Sequence, residues 1–176
     1  MDKSHTEIYK DISDVYEKKR DFPKAIEAYK NYLDEMKSSP DISDLFLYGR
    51  LNYYAATDSA YQDKQPTYLA EADTIFAQVA VKVPDNYLGN FWRARVNSLR
   101  DPETTQGLAK PYYEAALSIL EQKPDATKSV LVECNSYLGY YYFVKEDYNQ
   151  SKQYWNKILE IDPENETATK ALGGIK

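Results

Sequence analysis

Small and apolar residues recur at helical spacing along the chain, and one short phrase does so four times. It reads AIEAYKNYL from Ala25, ADTIFAQVA from Ala72, AKPYYEAAL from Ala109 and SKQYWNKIL from Ser151. Each copy opens on a small residue and carries an aromatic four positions on: Tyr29, Phe76, Tyr113 and Trp155. A further apolar or small residue follows three later, at Tyr32, Val79, Ala116 and Ile158. Offsets of three and four put these residues on one face of a helix. The small residue admits a neighbouring helix closely, and the aromatic fills the space beside it. One such unit cannot bury its own stripe, so the copies must stack, which predicts an all-α solenoid.

Each phrase reads as the second helix of a pair whose first helix lies upstream. The last pair is the most regular, with Leu138-Gly139, Tyr142, Asp147-Tyr148, Ser151, Trp155 and Asp162-Pro163 in order. That order resembles the tetratricopeptide repeat (TPR), a helix-turn-helix unit of about 34 residues. Asn135 stands where the family usually has an aromatic, and Ser151 where alanine is commoner. The first pair, about 6–39, has Ile8, Tyr9, Ile12, Val15 and Tyr16 as its stripe and Asp21-Phe22 as its turn; Ser13 fills the slot that the family gives to glycine. The second pair, 41–84, carries an insertion around TDSAYQDKQPTY, expected to lengthen its first helix and to add a loop broken near Pro66. The third, 87–122, turns at Asp101 to Gly107, and the fourth spans 129–163. A capping helix is expected over 164–173, ending at Gly173-Gly174. The resemblance implies one right-handed superhelical array of antiparallel helix pairs over residues 1–176.

A second internal match sets the register of the middle helices. Phe46-Leu-Tyr-Gly-Arg50-Leu-Asn52 aligns without gaps on Phe91-Trp-Arg-Ala-Arg95-Val-Asn97. Gly49, Ala94 and Gly139 then share one small-residue slot. Hydrophobicity alone allows a two-residue shift around Trp92 that buries Val96 and Leu99 and exposes Arg93.

Composition narrows the function. A net charge of -6 without a long basic run argues against nucleic acid or an anionic membrane surface as partner. No apolar run approaches the roughly 20 residues that span a bilayer, and the start, MDKSHTEIYK, is no signal peptide. A complete chain of this kind belongs in the cytoplasm; a piece of a secreted protein belongs in the periplasm or envelope, and the middle phrases resemble TPR segments of bacterial envelope proteins. The one cysteine, Cys134, falls on an inward face, and the one histidine, His5, lies at the extreme N-terminus. Neither offers an acid–base pair, a triad or a metal cage, and no phosphate-loop or zinc-protease motif is present. The chain is expected to be no enzyme and to need no metal or cofactor.

Binding is the expectation that remains. In TPR proteins the first helices line a concave groove that receives a peptide or a partner's helix. By register, the groove would show Phe46, Arg50, Tyr53 and Tyr54 from the second pair, then Phe91, Trp92 and Arg95 from the third. The fourth adds Tyr137 and Tyr140, with Phe143 and Val144, while the first offers only Glu7, Lys10, Asp11, Asp14 and Lys18. Eighteen tyrosines suit both repeat packing and such a groove. Arg50 and Arg95, at equivalent points, suggest a ligand carrying carboxylates, unless each pairs internally with an acid of a neighbouring repeat. Of the positions that clamp the acidic tails of heat-shock chaperones, only Lys10 matches. The alternative is a structural or self-associating scaffold whose groove is filled from within.

Overall fold

The computed structural model describes residues 3–36 and 38–175, with side chains from Thr6 onward, so the His5 side chain lies outside the described residues. Nine α-helices are present among them, and no strand. They fall into two compact units, Met1–Val83 and Pro84–Lys176. The first unit holds α1 (Lys3–Lys18), α2 (Phe22–Glu35), α3 (Ile42–Thr57) and α4 (Gln65–Lys82), with a 3-10 segment at Ser59–Lys64. The second holds α5 (Leu88–Arg100), α6 (Lys110–Leu120), α7 (Lys128–Val144), α8 (Tyr148–Ile161) and α9 (Glu166–Gly174). Within each unit every helix packs on the next in sequence, the neighbour-to-neighbour contact of a solenoid.

The small-residue slot does what the spacing predicts. A methyl group on Gly49 would sit 2.8 Å from the Phe76 ring, and one on Gly139 would sit 2.7 Å from Trp155. Ala25, Ala72, Ala109 and Ala94 are wholly buried. The two serines at small positions carry a reciprocal solution. Ser13 Oγ donates to the Ala25 carbonyl at 2.8 Å, from the first helix of its pair to the second. Ser151 Oγ donates to the Gly139 carbonyl, also at 2.8 Å, from the second helix back to the first. A hydroxyl on either side spans the same close approach and satisfies itself there, which is what a buried polar atom requires.

Both regular pairs turn the same way. Arg20 N–H bonds Glu17 O and Asp21 N–H bonds Tyr16 O; Glu146 N–H bonds Phe143 O and Asp147 N–H bonds Tyr142 O. These are Schellman closures with a left-handed residue at φ 59° for Arg20 and 60° for Glu146. Asp21 and Asp147 then cap the following helices through Lys24 N–H and Gln150 N–H. A non-glycine residue in that conformation is strained. Glu146→Gly is therefore expected to stabilise the chain by about 0.5–1 kcal/mol, read from the denaturant midpoint. A loss of stability there would mean that the Glu146 side chain makes contacts that outweigh its strained backbone.

The insertion lies elsewhere than expected. It leaves the first helix of its pair at Ile42–Thr57 and goes into the 3-10 segment and an 18-residue α4. Pro66 breaks nothing, because it sits in the first turn of α4, where a missing N–H is cheap. Asp58 anchors the segment by accepting from Ala60 N–H at 2.9 Å and from Arg20 Nη2 at 2.8 Å. The third pair turns on Asp101, whose buried carboxylate accepts backbone N–H bonds from Gln106 and Gly107 at 3.0 and 2.7 Å. Burial pushes its carboxyl up, but these backbone bonds outweigh it and hold it below the usual carboxylate range. Gly107, at φ 71°, stands against the Tyr141 ring, so no side chain fits there. At the C-terminus α9 runs through both glycines to Gly174, and Ile175 folds in behind it.

Candidate interaction surface

The first helices α3 and α7 both carry a set of aromatic rings, and the two units build these faces differently. In the first unit Phe46, Arg50, Tyr53 and Tyr54 are all half-buried. Phe46 meets Phe76 edge-on at 5.9 Å, Tyr53 meets Tyr54 at 6.0 Å, and Tyr54 leans on Phe22 at 6.3 Å. Arg50 reaches back to α1, where its Nη2 donates to Glu17 at 3.2 Å, and its guanidinium lies 5.4 Å from the Tyr54 ring.

Behind that face sits a buried polar knot. Asp44 Oδ1 accepts from Lys10 Nζ, Tyr29 OH and Tyr32 OH, each at 3.2 Å. Burial works against the Lys10 charge, but the hydrogen bond and charge of Asp44 outweigh it and hold the ammonium above its ordinary value. The Tyr29 phenol is pushed up by its burial and by Asp44, so it remains a donor. Lys10, the one residue in common with chaperone-clamping domains, is thus a structural cation.

In the second unit the internal alignment holds at its key residues. Ala94 is buried in the slot, and Asn52 and Asn97 make the same bond, each amide donating to the carbonyl four residues back at 3.0 and 2.9 Å. Val96 is buried as well, and Arg93 turns to α6, bonding Tyr112 OH at 2.9 Å. Phe91 and Trp92 correct the expectation of open groove walls, since both are buried, Trp92 to 8 % exposure. Phe91 packs edge-on against Tyr113 at 6.2 Å. Arg95 covers both rings, with its guanidinium 4.5 Å from Phe91 and 5.1 Å from Trp92.

Arg95 is also engaged on its donor side. Its Nε and Nη2 grip Glu133 of α7 at 2.7 and 2.6 Å, a two-pronged pair joined by Tyr113 OH at 3.1 Å. Burial first, then Glu133, push the Tyr113 phenol up. Tyr137 lies tilted against Tyr113 at 4.6 Å and is half-buried, its phenol pushed up to about 12 by burial. Burial raises the Cys134 thiol to about 12 as well, so it stays protonated and unreactive. Both arginines therefore have carboxylate partners on neighbouring helices. The sequence does not single out Glu17 or Glu133, which stand at unlike offsets from their slot residues, four after Ser13 and six before Gly139.

Open apolar surface on this face gathers near the end of α7. Tyr140 and Phe143 are 43 and 41 % exposed, one helical turn apart. They overlook a recess of about 240 Å³ shared with Trp155 of α8 and with Ala171, Gly174 and Ile175 of α9. Trp155 is its buried floor, fixed against Gly139. The rim carries one cation, Lys170, held by Glu166 at 2.9 Å. Small-molecule sites usually occupy about 300–1,000 Å³, so a recess of this size suits one large side chain. Among the described residues no cluster of histidine, cysteine and carboxylates could hold a metal, and no helix is long and apolar enough to cross a membrane.

Two solved structures place the architecture. The crystal structure of the C-terminal part of a TPR repeat-containing protein from Cytophaga hutchinsonii superposes with a TM-score of 0.83 at 32 % identity, over 97 % of this chain and 61 % of that one. This chain thus spans about three-fifths of that structure's length. A structure described as the MamA RS-1 ArsTM double mutant superposes with a TM-score of 0.69 at 18 % identity, over 97 % of this chain and 82 % of that one, a likeness of fold alone. No family profile and no curated protein matches the chain.

Proposed function

We propose that this chain, a member of the tetratricopeptide repeat family, is a non-catalytic interaction scaffold that holds a peptide or helix against the aromatic faces of its first helices. Phe46, Tyr53 and Tyr54 offer area in one unit, and Tyr137, Tyr140 and Phe143 in the other. The observation that carries the reading is the recess at the end of α7. It couples two exposed aromatics to a preformed apolar socket, the arrangement in which a single anchor side chain contributes most of a binding energy. Rigid aromatics lose little rotamer freedom on contact, which favours affinity at small area.

Arg50 and Arg95 act in this reading as clamps between neighbouring helices. Their carboxylate partners remove the reason to require an acidic ligand. An incoming carboxylate would have to displace Glu133 from a two-pronged pair, gaining little net charge interaction.

Panning a displayed peptide library on the full chain and on Phe143→Ser tests this. Peptides enriched on the parent chain are expected to share one large apolar residue and to bind Phe143→Ser at least about tenfold more weakly, a change of about 1.4 kcal/mol. Their affinity should change little with salt. Enrichment of acidic peptides that lose affinity in Arg95→Ala and at high salt, but not in Phe143→Ser, overturns the recess as the anchor.

A further inference from the structure

We propose that the recess where α6, α7 and α8 meet is a binding site for a small aromatic carboxylate that also carries an N–H donor. It lies beside the first half of α7, whereas Tyr140 and Phe143 stand near the other end of that helix. Its volume is about 440 Å³, within the roughly 300–1,000 Å³ typical of small-molecule sites. Three helices line it, with Leu120 from α6, Leu131 and Asn135 from α7, and Ile161 from α8.

Asn135 is the residue that packing does not explain. It stands four residues before the slot residue Gly139, where α3 has Leu45 four before Gly49. Leu45 packs with Ile75 and Val79 in an apolar cluster. Asn135 is as deeply placed, at 1 % exposure, but it brings an amide. Its Nδ2 donates to the Leu131 carbonyl at 2.8 Å, which fixes the amide, since the reverse orientation would set oxygen against oxygen. Oδ1 is then left buried with no partner among the described residues. Asn97 makes the same bond back along its own helix, but its Oδ1 accepts from Arg100 at 3.4 Å. A buried acceptor costs stability unless a donor meets it. Leucine serves the packing at this position in α3, so the amide on the recess points to a donor that arrives from outside.

The rest of the lining sets the other features of the ligand. Lys128, Leu131 and Asn135 fall at i, i+3 and i+7, on one face of α7. The recess therefore runs from a cation, past an apolar wall, to the acceptor. The two ends are about 10 Å apart along the helix axis, a gap that the flexible lysine stem shortens. Neither Lys123 nor Lys128 has an acidic partner among the described residues. Lys157 is held by Glu121 at 2.8 Å, and that pair ties the end of α6 to α8 beside the recess. Three lysines and two glutamates line the recess, so it is net positive in a chain of net charge -6. An indole bearing a short acid side chain has the matching order of parts: an N–H for Asn135, a flat apolar body for Leu120, Leu131 and Ile161, and a carboxylate for the lysines.

The test titrates the full chain with indolepropionate and follows nitrogen–proton NMR correlations. The Asn135 side-chain amide and the backbone amides of Leu131 and Leu120 are expected to shift and saturate. The N-methyl derivative, which has lost its donor, should bind at least about tenfold more weakly. The corresponding alcohol should bind more weakly than the acid at low salt and equally at high salt. Lys123→Ala with Lys128→Ala should erase that preference for the acid. Asn135→Leu should abolish the shifts and raise the melting temperature, since it puts an apolar side chain where Leu45 stands in α3. The N-methyl probe needs no variant, so the test holds whatever Asn135→Leu does to folding. Equal binding of the N-methyl derivative, shifts confined to Tyr140 and Phe143, or no saturation at millimolar probe overturns the proposal.

Discussion

Replacing Trp155 with alanine is expected to destabilise the second unit by about 3–5 kcal/mol, the usual cost of emptying a buried tryptophan site. The ring joins Ile158 of its own helix to Ala168 and Ile175 of the capping segment, and it lies flat against Gly139. Two surfaces thus lose their filling at once, and the stacked pair of Tyr142 and Tyr154, at 5.5 Å, keeps α7 and α8 from closing over the gap. Solenoid contacts run between neighbours, so the loss should be local. Hydrogen exchange should speed up through α7, α8 and α9 while α1 to α4 keep their protection. The same geometry gives a signed double mutant. Gly139→Ala alone gains about 1 kcal/mol of helix propensity but meets the indole at 2.7 Å, so it should be net destabilising. In a Trp155→Leu background the clash is gone, and Gly139→Ala should stabilise. Additive effects would mean that the small slot and the aromatic are not in contact.

The second large effect is expected at Asp44. Its side chain is 5 % exposed and satisfies three donors through one oxygen. Asp44→Ala leaves Tyr29 OH buried without an acceptor and removes the partner of Lys10. Lys10 is 31 % exposed and can turn to water, so the cost should fall near the lower end of that for a broken buried pair, about 2–3 kcal/mol. Asp44→Asn keeps an acceptor oxygen and should recover roughly half of that loss. Urea denaturation of the two variants measures both numbers. An alanine variant as stable as the parent would show that the tyrosine hydroxyls find water at no cost.

Much of this was legible in the chain itself, for a physical reason. A close helix crossing needs a small residue opposite a large ring, and that requirement writes Gly49 against Phe76 and Gly139 against Trp155 at fixed offsets. Serine departs from the pattern without breaking it, since Ser13 and Ser151 bond the carbonyl they approach. The acid partners of Arg50 and Arg95 were harder to see. They depend on how one first helix is offset against the next, which no period within a helix reports. Trp92 is buried for a related reason. An aromatic at a first-helix position can face solvent or lie beneath a neighbouring arginine, and the sequence Phe-Trp-Arg-Ala-Arg reads the same in either case. The insertion goes into α4 and its 3-10 lead-in because Pro66 stands in a first turn, where proline starts a helix and does not break one.

Entry of the ligand at the end of α7 is tested most directly by hydrogen–deuterium exchange of the full chain with and without a library-selected peptide. Slowed exchange in the second half of α7, from Tyr137 to Val144, and in α9, with α1 unchanged, is the predicted result. Protection confined to α6 and the start of α7, or lost in Arg95→Ala while Phe143→Ser retains it, would contradict it.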